Sequence, residues 1–239
     1  MRFIHLDSVG STQDEARRLL MTGETGPLWV RADRQSAGRG RRDRRWTSES
    51  GNLYATLLLP DRSPPGQAAL VGFAAAVAIV DTLLAYDPVR PVTLKWPNDA
   101  MIGGAKVSGL LVEREPDALL IGIGINLVSH PEGLPYPATH LVAEMSPKAL
   151  EAPEPLFTGA SALLALLSRH VEARIDTLRA VGFGAIREAW LECAHHLGRT
   201  ITVNGLTGTF TDLGLDGALC MTLPDGTKER VHAGDVSFG

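Results

Sequence analysis

An arginine-rich segment contains the first residues whose types and spacing suggest chemistry. From Gln35 to Trp46 the chain reads QSAGRGRRDRRW, with two glycines and five arginines. Glycines let a backbone approach a ligand closely, and arginines bind phosphate or carboxylate oxygens through two parallel hydrogen bonds. The segment therefore predicts a site for an anion, although a solvated basic loop or a nucleic-acid patch explains its composition equally well.

Two of the four lysines lie close together, beside an asparagine and an aspartate. KWPND spans residues 95–99, and Lys106 follows in GGAKVSG. A lysine that faces a carboxylate across a hairpin suits phosphate chemistry, because the lysine offsets developing negative charge and the carboxylate positions a cation or a nucleophile. Taken alone, the same pair also fits a surface ion pair at a turn.

A third string, IGIGIN at residues 121–126, combines two glycines with a terminal asparagine. It lacks the third glycine of a dinucleotide-binding fingerprint, and no helix is predicted after it, so that type of site is excluded. Glycines inside a buried strand permit close approach of a ligand or of another backbone. Asn126 is then a candidate phosphate contact, with a packed strand and a turn asparagine as the alternative.

The charge distribution argues for a local anionic ligand. Residues 31–46 hold seven arginines and two aspartates, a balance of +5, whereas the whole chain carries -4, so the remainder carries -9. An extended nucleic-acid surface is usually basic overall, and a single-strand site needs several stacking rings, of which this segment has only Trp46. We therefore expect no nucleic-acid partner.

The cysteines and the apolar segments indicate a cytoplasmic protein without a membrane partner. Cys193 and Cys220 have no CxxC spacing and are interpreted as free thiols in a reducing compartment. The N-terminus shows no signal peptide. The apolar run 68–80 is shorter than a bilayer requires and predicts a buried helix.

The element pattern predicts an α+β domain followed by a small all-β domain. Strands are expected at 28–33, 52–59, 92–96, 106–113 and 118–126, helices near Ser11 and at 68–86, 156–180 and 185–195, and irregular structure at 129–155. Their irregular alternation favours a mixed β-sheet with helices packed on one side. Four short strands after residue 198, separated by Asn-Gly and Asp-Gly turns, predict a barrel. We place the domains at 1–195 and 196–239.

Taken together, the motifs resemble those of the biotin protein ligase family, in order and in spacing. The pairing of GRGRR with KWPND is especially specific. The matching strings are DSVGSTQ (7–13), RQSAGRGRR (34–42), Trp46, KWPND (95–99), KVSGLLVE (106–113) and GIGINL (122–127). The resemblance implies a class II synthetase-like catalytic domain with an SH3-like C-terminal barrel. It also implies a monofunctional enzyme, because the motifs begin at position 7 and leave no room for an N-terminal DNA-binding domain.

The resemblance implies a two-step reaction with magnesium. Biotin and ATP would give biotinyl-5′-AMP, and a lysine of a biotin carboxyl carrier protein, part of a biotin-dependent carboxylase, would accept the biotin. The implied catalytic residues are Lys106, Asp99 and Arg41. The implied biotin contacts are Ser11, Thr12, Gln13, Gln35, Arg39, Gly40, Arg41 and Lys106. The implied ATP contacts are Arg39, Arg41, Trp46, Asn98, Asp99, Lys106 and Asn126. Metal ligands stay unassigned, and position 13 departs from the family in being Gln where many relatives have Asn.

Two expectations concern the less regular parts of the chain. The arginine loop, residues 36–46, should be mobile when empty because its charges repel, and a bound adenylate should order it as a lid. The C-terminal domain holds none of the matched strings, so we expect it to complete the edge of the site or to receive the carrier protein.

Two other functions remain open from the sequence. A lipoate or octanoate ligase or transferase shares the fold and the lysine, but GRGRR together with KWPND is not expected there. A DNA-binding regulator would use the arginines, but it lacks a helix-turn-helix motif and a basic body. The oligomeric state and the identity of the acceptor are also open.

Overall fold

A seven-stranded mixed sheet forms the centre of the larger domain. The computed structural model describes residues 1–151 and 159–238. The sheet has the order β1-β2-β3-β7-β6-β5-β4, and only β1 and β2 pair in parallel. Its strands are β1 (Arg2–Val9), β2 (Leu28–Gln35), β3 (Leu53–Pro60), β4 (Val92–Lys95), β5 (Asp99–Ile102), β6 (Ala105–Glu115) and β7 (Ala118–Ile125). The predicted mixed sheet is confirmed.

Helices cover both faces of this sheet. The helices are α1 (Thr12–Met21), α2 (Pro65–Leu84), α3 (Leu141–Glu144), α4 (Pro147–Leu150), α5 (Ala160–Val181) and α6 (Phe183–Glu192). The long helices α2, α5 and α6 pack together on one face, as expected. The shorter α1 lies on the opposite face, where Ala16 packs against Val30, Leu58 and Leu120. The expectation of helices on one side is therefore wrong for α1, which leaves part of this second face open.

Helix α2 is the apolar centre of the larger domain. Its segment Gly66–Leu84 has a mean hydropathy of 1.9 and is 72% buried within the protein. Among the described residues, it is the one helix that is long and apolar enough to cross a membrane. The apolar segment is therefore longer than the run 68–80 on which the sequence prediction was based. The burial agrees with the predicted core helix, because a helix that is apolar all round must pack on several sides.

Some elements were not predicted, and each has a local cause. Strand β1 is an edge strand with most side chains exposed, so it lacks the alternating pattern that marks a half-buried strand. Strand β5 is only four residues long, and α3 and α4 are single turns within the segment expected to be irregular. The expected helix start at Leu156 lies outside the described residues.

The C-terminal domain is an antiparallel sheet of five strands, one more than the sequence indicated. Its strands are β8 (Thr200–Val203), β9 (Leu206–Leu213), β10 (Leu219–Thr222), β11 (Lys228–Val231) and β12 (Val236–Ser237). The order is β11-β10-β9-β8-β12. Asn204 and Gly205, both at positive φ, form the two-residue turn of the first hairpin. The predicted all-β domain is confirmed, whereas the closed barrel and the boundary at residue 195 stay predictions.

The two domains share one hydrophobic core and a specific polar contact. Trp190 of α6 packs edge-on against Phe210 of β9, with ring centroids 6.4 Å apart. The buried indole of Trp96 donates a hydrogen bond to the carbonyl of Gly217 at 3.0 Å. The turn that contains KWPND is therefore held against the C-terminal domain.

The small cluster beneath α1 should be essential to the stability of this face. Leu58→Ala should lower the free energy of unfolding by about 2–5 kcal/mol, because Leu58 is fully buried and its truncation leaves a cavity. Met21→Ala, at the exposed end of α1, should change it by less than about 0.5 kcal/mol. Urea titration followed by circular dichroism measures both values. Equal effects of the two substitutions would contradict this packing.

Candidate active site

A cavity that opens to solvent lies on the face of the sheet that carries α1. It is bounded by the start of α1, the arginine loop, and the glycine-containing parts of β6 and β7. Of the twelve site residues indicated by the sequence, eleven line this cavity. They are Ser11, Thr12, Gln13, Gln35, Arg39, Gly40, Arg41, Trp46, Asn98, Asp99 and Lys106. Motifs that are far apart in the chain thus meet around one space.

Hydroxyl and amide groups form a polar network on the floor of the cavity. Ser11 caps α1 by accepting a hydrogen bond from the backbone N–H of Gln13 at 3.2 Å. Thr12 donates from both its backbone N–H and its hydroxyl to Oε1 of Gln35, at 2.8 and 3.1 Å. The hydroxyl of Thr56 lies 2.9 Å from that of Thr12 and 3.1 Å from Oε1 of Gln13. The cap therefore fixes the first turn of α1 against β2 and β3.

Thr56 is a candidate site residue that sequence reasoning missed. It is fully buried, it lies in the apolar strand β3, and it lines the cavity. The available signal was its type, because it is a hydroxyl-bearing residue within the run LYATLLLP. Threonine is common in strands, so that signal alone does not mark a site.

The glycines of β6 and β7 make room for side chains from neighbouring elements. A Cβ at Gly122 would lie 2.5 Å from Oε1 of Gln13. A Cβ at Gly109 or Gly124 would lie 2.8 or 2.6 Å from the indole of Trp46. The sequence predicted close approach of a ligand or a backbone here. The structure shows that an indole and a carboxamide occupy this space.

The indole of Trp46 lies over the sheet with an unpaired N–H donor. Its Nε1 is buried and has no hydrogen-bond partner among the described residues. A buried donor without a partner is unfavourable by about 1–3 kcal/mol. The ring also lies 5.3 Å from Nζ of Lys106, so Trp46 is placed between the sheet and the main cation of the site.

Lys106 and Asp99 form an ion pair across the β5–β6 hairpin. Nζ of Lys106 lies 2.7 Å from Oδ1 of Asp99, and both side chains are largely buried. Tyr136, which the sequence did not indicate, has its ring 5.6 Å from the same ammonium. The expectation that a lysine and a carboxylate face each other across a hairpin is therefore correct in geometry.

The arginine loop has partners within the protein on both of its sides. Arg39 binds Asp14 at 2.7 Å and Glu113 at 3.1 Å. Arg41 donates to Oδ1 of Asn98 at 3.1 Å, and burial is the main cause that lowers the pKa of Arg41. These pairs offset the charge repulsion on which the expected mobility depends, and that mobility stays a prediction.

The C-terminal domain contributes a carboxylate to the cavity. Asp235 lines it and binds Arg42 at 3.0 Å. Asp235 lies outside every string that carried the resemblance, so the sequence gave no signal for it. The C-terminal domain reaches the lining of the predicted adenylation site itself, beyond the edge role that we expected.

Asn126 is the one predicted site residue that does not line the cavity. Its side chain is buried and donates to the carbonyl of Thr139 at 3.0 Å. Its backbone N–H donates to the carbonyl of Val107 at 2.8 Å. One side-chain hydrogen bond of Asn126 therefore ties the start of the segment 126–140 to its end, and the expected contact of Asn126 with ATP stays a prediction.

That closed segment also supports Lys106. The backbone N–H of Lys106 donates to the carbonyl of Pro137, and its carbonyl accepts from the N–H of Thr139, both at 2.9 Å. Asn126 thus does not line the cavity, but it holds the segment that pairs with the backbone of Lys106.

Comparison with known proteins agrees with this arrangement. Residues 7–127 match the model of the biotin/lipoate A/B protein ligase family, and residues 196–239 match the biotin protein ligase C-terminal domain. A biotin–[acetyl-CoA-carboxylase] ligase of Paracoccus denitrificans is 36% identical over 96% of this chain and 97% of its own length. A bifunctional ligase/repressor of Bacillus spizizenii is 30% identical over 99% of this chain and 74% of its own length.

A solved structure gives the same result for the fold. The biotin protein ligase of Aquifex aeolicus, in complex with biotin and ATP, superposes with a TM-score of 0.82 at 25% identity. The match covers 99% of this chain and 97% of that one. On the joint evidence of the family model, the full-length relative and the shared fold, this chain is a ligase that belongs to the biotin protein ligases.

Proposed function

We propose that this chain activates biotin with ATP to biotinyl-5′-AMP and transfers the biotin to a lysine of a biotin carboxyl carrier protein. The main support is the convergence of Lys106, the arginine loop and the polar floor on one cavity. The Aquifex aeolicus ligase, which has the same fold, was solved in complex with biotin and ATP. The eleven lining residues keep the roles that the resemblance implies for them.

The hydrogen-bond inventory of the floor favours biotin over lipoate or octanoate. Thr12 uses its one hydroxyl proton on Gln35, and Thr56 has a single proton for either Thr12 or Gln13. One oxygen therefore remains without a donor from this network. The ureido ring of biotin brings two N–H donors, whereas a dithiolane or an alkyl chain brings none, and an unpaired buried acceptor is unfavourable by about 1–3 kcal/mol.

The first chemical step must bring two anions together. An oxygen of the biotin carboxylate attacks the α-phosphorus of ATP, the bond to the β-phosphate oxygen breaks, and pyrophosphate leaves. Arg39 and Arg41 offset the charge of the carboxylate and the phosphate, and Gly40 between them has no side chain that would keep the backbone away from these groups. Lys106 bridges the two groups, after it exchanges Asp99 for phosphate oxygens. Fixed cations of this kind stabilise the transition state without reorganisation.

The second step uses the carboxylate that Lys106 has released. The amine of the acceptor lysine attacks the carbonyl carbon of the anhydride, and AMP leaves with the bridging oxygen. The attacking amine must lose a proton, and Asp99 is the nearest carboxylate to Lys106 in the cavity. In this proposal Asp99 orients the incoming lysine and accepts its proton.

The indole of Trp46, whose ring lies 5.3 Å from Nζ of Lys106, is a suitable surface for the nucleotide. Trp46 offers an indole face and an unpaired Nε1 donor, and both would gain a partner from a bound adenylate. Asn98, which accepts from Arg41, lies beside the expected position of the phosphates. These contacts support the proposed nucleotide roles of Trp46 and Asn98.

Magnesium accompanies ATP in this proposal. Mg²⁺ is usually held by one or two carboxylates together with substrate phosphates and water. The side-chain oxygens of Asp99 and Asn98 line the cavity and fit that requirement. When bound, the cation neutralises part of the charge on the phosphates.

The proposed location is the cytoplasm. Both cysteines are free thiols in the structure, as the sequence indicated. Free thiols are typical of a reducing compartment, where ATP is also available.

The reaction itself should be specific for biotin. Purified protein with magnesium and ATP should release pyrophosphate in the presence of biotin and label one lysine of a carrier domain. Lipoate and octanoate should give little release, because they leave the floor acceptors unpaired. A coupled pyrophosphate assay with the three acids makes the comparison. Release with lipoate and none with biotin would refute the proposal.

Removal of the Lys106 ammonium should slow the first step most. Lys106→Ala should reduce the rate of adenylate formation by about 10²–10³-fold, the usual effect of losing one positioned charge. Transfer from supplied biotinyl-5′-AMP should be reduced less. Lys148→Ala, at an exposed lysine of α4, is the matched control and should behave as the unsubstituted protein. Near-normal adenylation by Lys106→Ala would exclude Lys106 from the mechanism.

The hydroxyl of Thr56 should contribute to biotin affinity. Thr56→Val keeps the shape but removes a hydroxyl oxygen that can accept from a ureido N–H of biotin, so biotin should bind about 5–15-fold more weakly, as expected for the loss of one hydrogen bond. Calorimetry with biotin alone measures this. Thr82→Val removes an equally buried hydroxyl from α2, where it bonds the carbonyl of Ala78, and should leave affinity unchanged. Equal affinities of both variants would show that Thr56 has no part in binding.

A further inference from the structure

One carboxylate of the C-terminal domain meets three arginines of the loop. Asp235 accepts a hydrogen bond from Arg42 at 3.0 Å and another from Arg44, and Arg41 lies 3.9 Å away. The carbonyl of the preceding Gly234 also accepts from Arg41 at 3.4 Å. The segment of Gly234 and Asp235 therefore contacts Arg41, the loop side chain that faces both the cavity and Asn98.

The backbone of the loop depends on such support. Arg42 has φ 54° and ψ 44°, the left-handed region that residues with a side chain seldom adopt. Conformations of this kind persist where the surroundings hold them in place. The side chain of Arg42 forms an ion pair with Asp235 at 3.0 Å. Asp235 is thus positioned to stabilise the turn that separates Arg41 from Arg44.

The segment that carries Asp235 is itself firmly held. The side-chain amide of Asn204 donates to the carbonyl of Ala233 at 2.7 Å, and β12 pairs with β8 immediately after Asp235. Beyond β12, the ring of Phe238 stacks on His196 with centroids 3.9 Å apart. Because residues on both sides are anchored, the carboxylate has little freedom to follow the loop if the loop moves.

The opposite side of the loop has its own anchor. Arg39 is held by Asp14 and Glu113 of the larger domain. Without the carboxylate of Asp235, Arg41, Arg42 and Arg44 would retain three like charges at short range and lose their shared anion. Arg39 would stay in place, so the change would concentrate at residues 41–45.

We propose that Asp235 is a positioning residue for adenylate formation, which acts by holding Arg41 toward the cavity through its contacts with the arginine loop. The proposal rests on the proposed role of Arg41 at the carboxylate and the α-phosphate. It gives the C-terminal domain a part in the first step, beyond completing the edge of the site or receiving a carrier.

Limited proteolysis of the full chain tests the loop without any substrate. In Asp235→Asn, trypsin should cut after the four arginines of residues 41–45 about fivefold faster than in the unsubstituted protein, because the loop opens more often. Asp235→Glu should restore resistance. Asp225→Asn is the matched control, because Asp225 lies in an exposed turn of the same domain and bonds only within that turn. It should be cut at the unsubstituted rate.

The same variants are then assayed for pyrophosphate release with biotin and ATP. Asp235→Asn should lower kcat by about tenfold, as expected when a catalytic group is misplaced, and Asp235→Glu should recover most of the rate. If circular dichroism shows that Asp235→Asn does not fold, the double variant Arg42→Gln, Arg44→Gln removes the same contacts from the loop side and should show the same loss of rate.

An unchanged cleavage rate in Asp235→Asn would overturn the proposal, and so would faster cleavage with normal adenylate formation. A loss of rate that Asp235→Glu does not recover would also count against it. An unsubstituted protein that releases no pyrophosphate would instead refute the proposed function, and the cleavage comparison would still report on the loop.

Discussion

The site depends on cations that carboxylates of the same chain hold close together. Lys106 and the arginines of the loop converge on one cavity, where their mutual repulsion would favour an open, hydrated arrangement. The protein supplies its own anions, with Asp99 beside Lys106, Asp14 and Glu113 beside Arg39, and Asp235 beside the rest of the loop. These carboxylates offset the repulsion among the cations and fix their positions around the cavity.

The backbone around Lys106 shows how much of the fold serves this arrangement. The lysine lies on a strand that pairs with β5 on one side and with the segment 137–139 on the other. The β5–β6 hairpin follows a turn whose indole, Trp96, is bonded to the C-terminal domain. Sheet, loop and second domain therefore all limit the movement of one ammonium group.

Motif spacing predicted most of the cavity, because the strings that carry the chemistry lie at strand ends and tight turns that the glycines and prolines mark. It did not predict Thr56 or Asp235. A threonine in an apolar strand looks like any packed strand residue, and Asp235 reaches the site only because a separate domain folds back onto the loop. The ATP contact of Asn126 stays a prediction: its place at the end of a strand suggested a phosphate contact, and in the structure its side-chain amide donates one hydrogen bond to the carbonyl of Thr139. Edge strand β1 was missed because it buries too little for a pattern to appear.

The close contact between Gln13 and Gly122 has a consequence for how this face of the sheet can vary. Because a Cβ at position 122 would lie 2.5 Å from Oε1 of Gln13, the two positions share one volume, and a side chain at 122 requires the carboxamide of Gln13 to move. Asparagine at position 13 would withdraw the carboxamide by one methylene and leave a gap above the glycine, while alanine at position 122 would displace the longer side chain toward the cavity. A redesign of the polar floor of this cavity, for a larger or smaller ring, therefore has to consider residues 13 and 122 together.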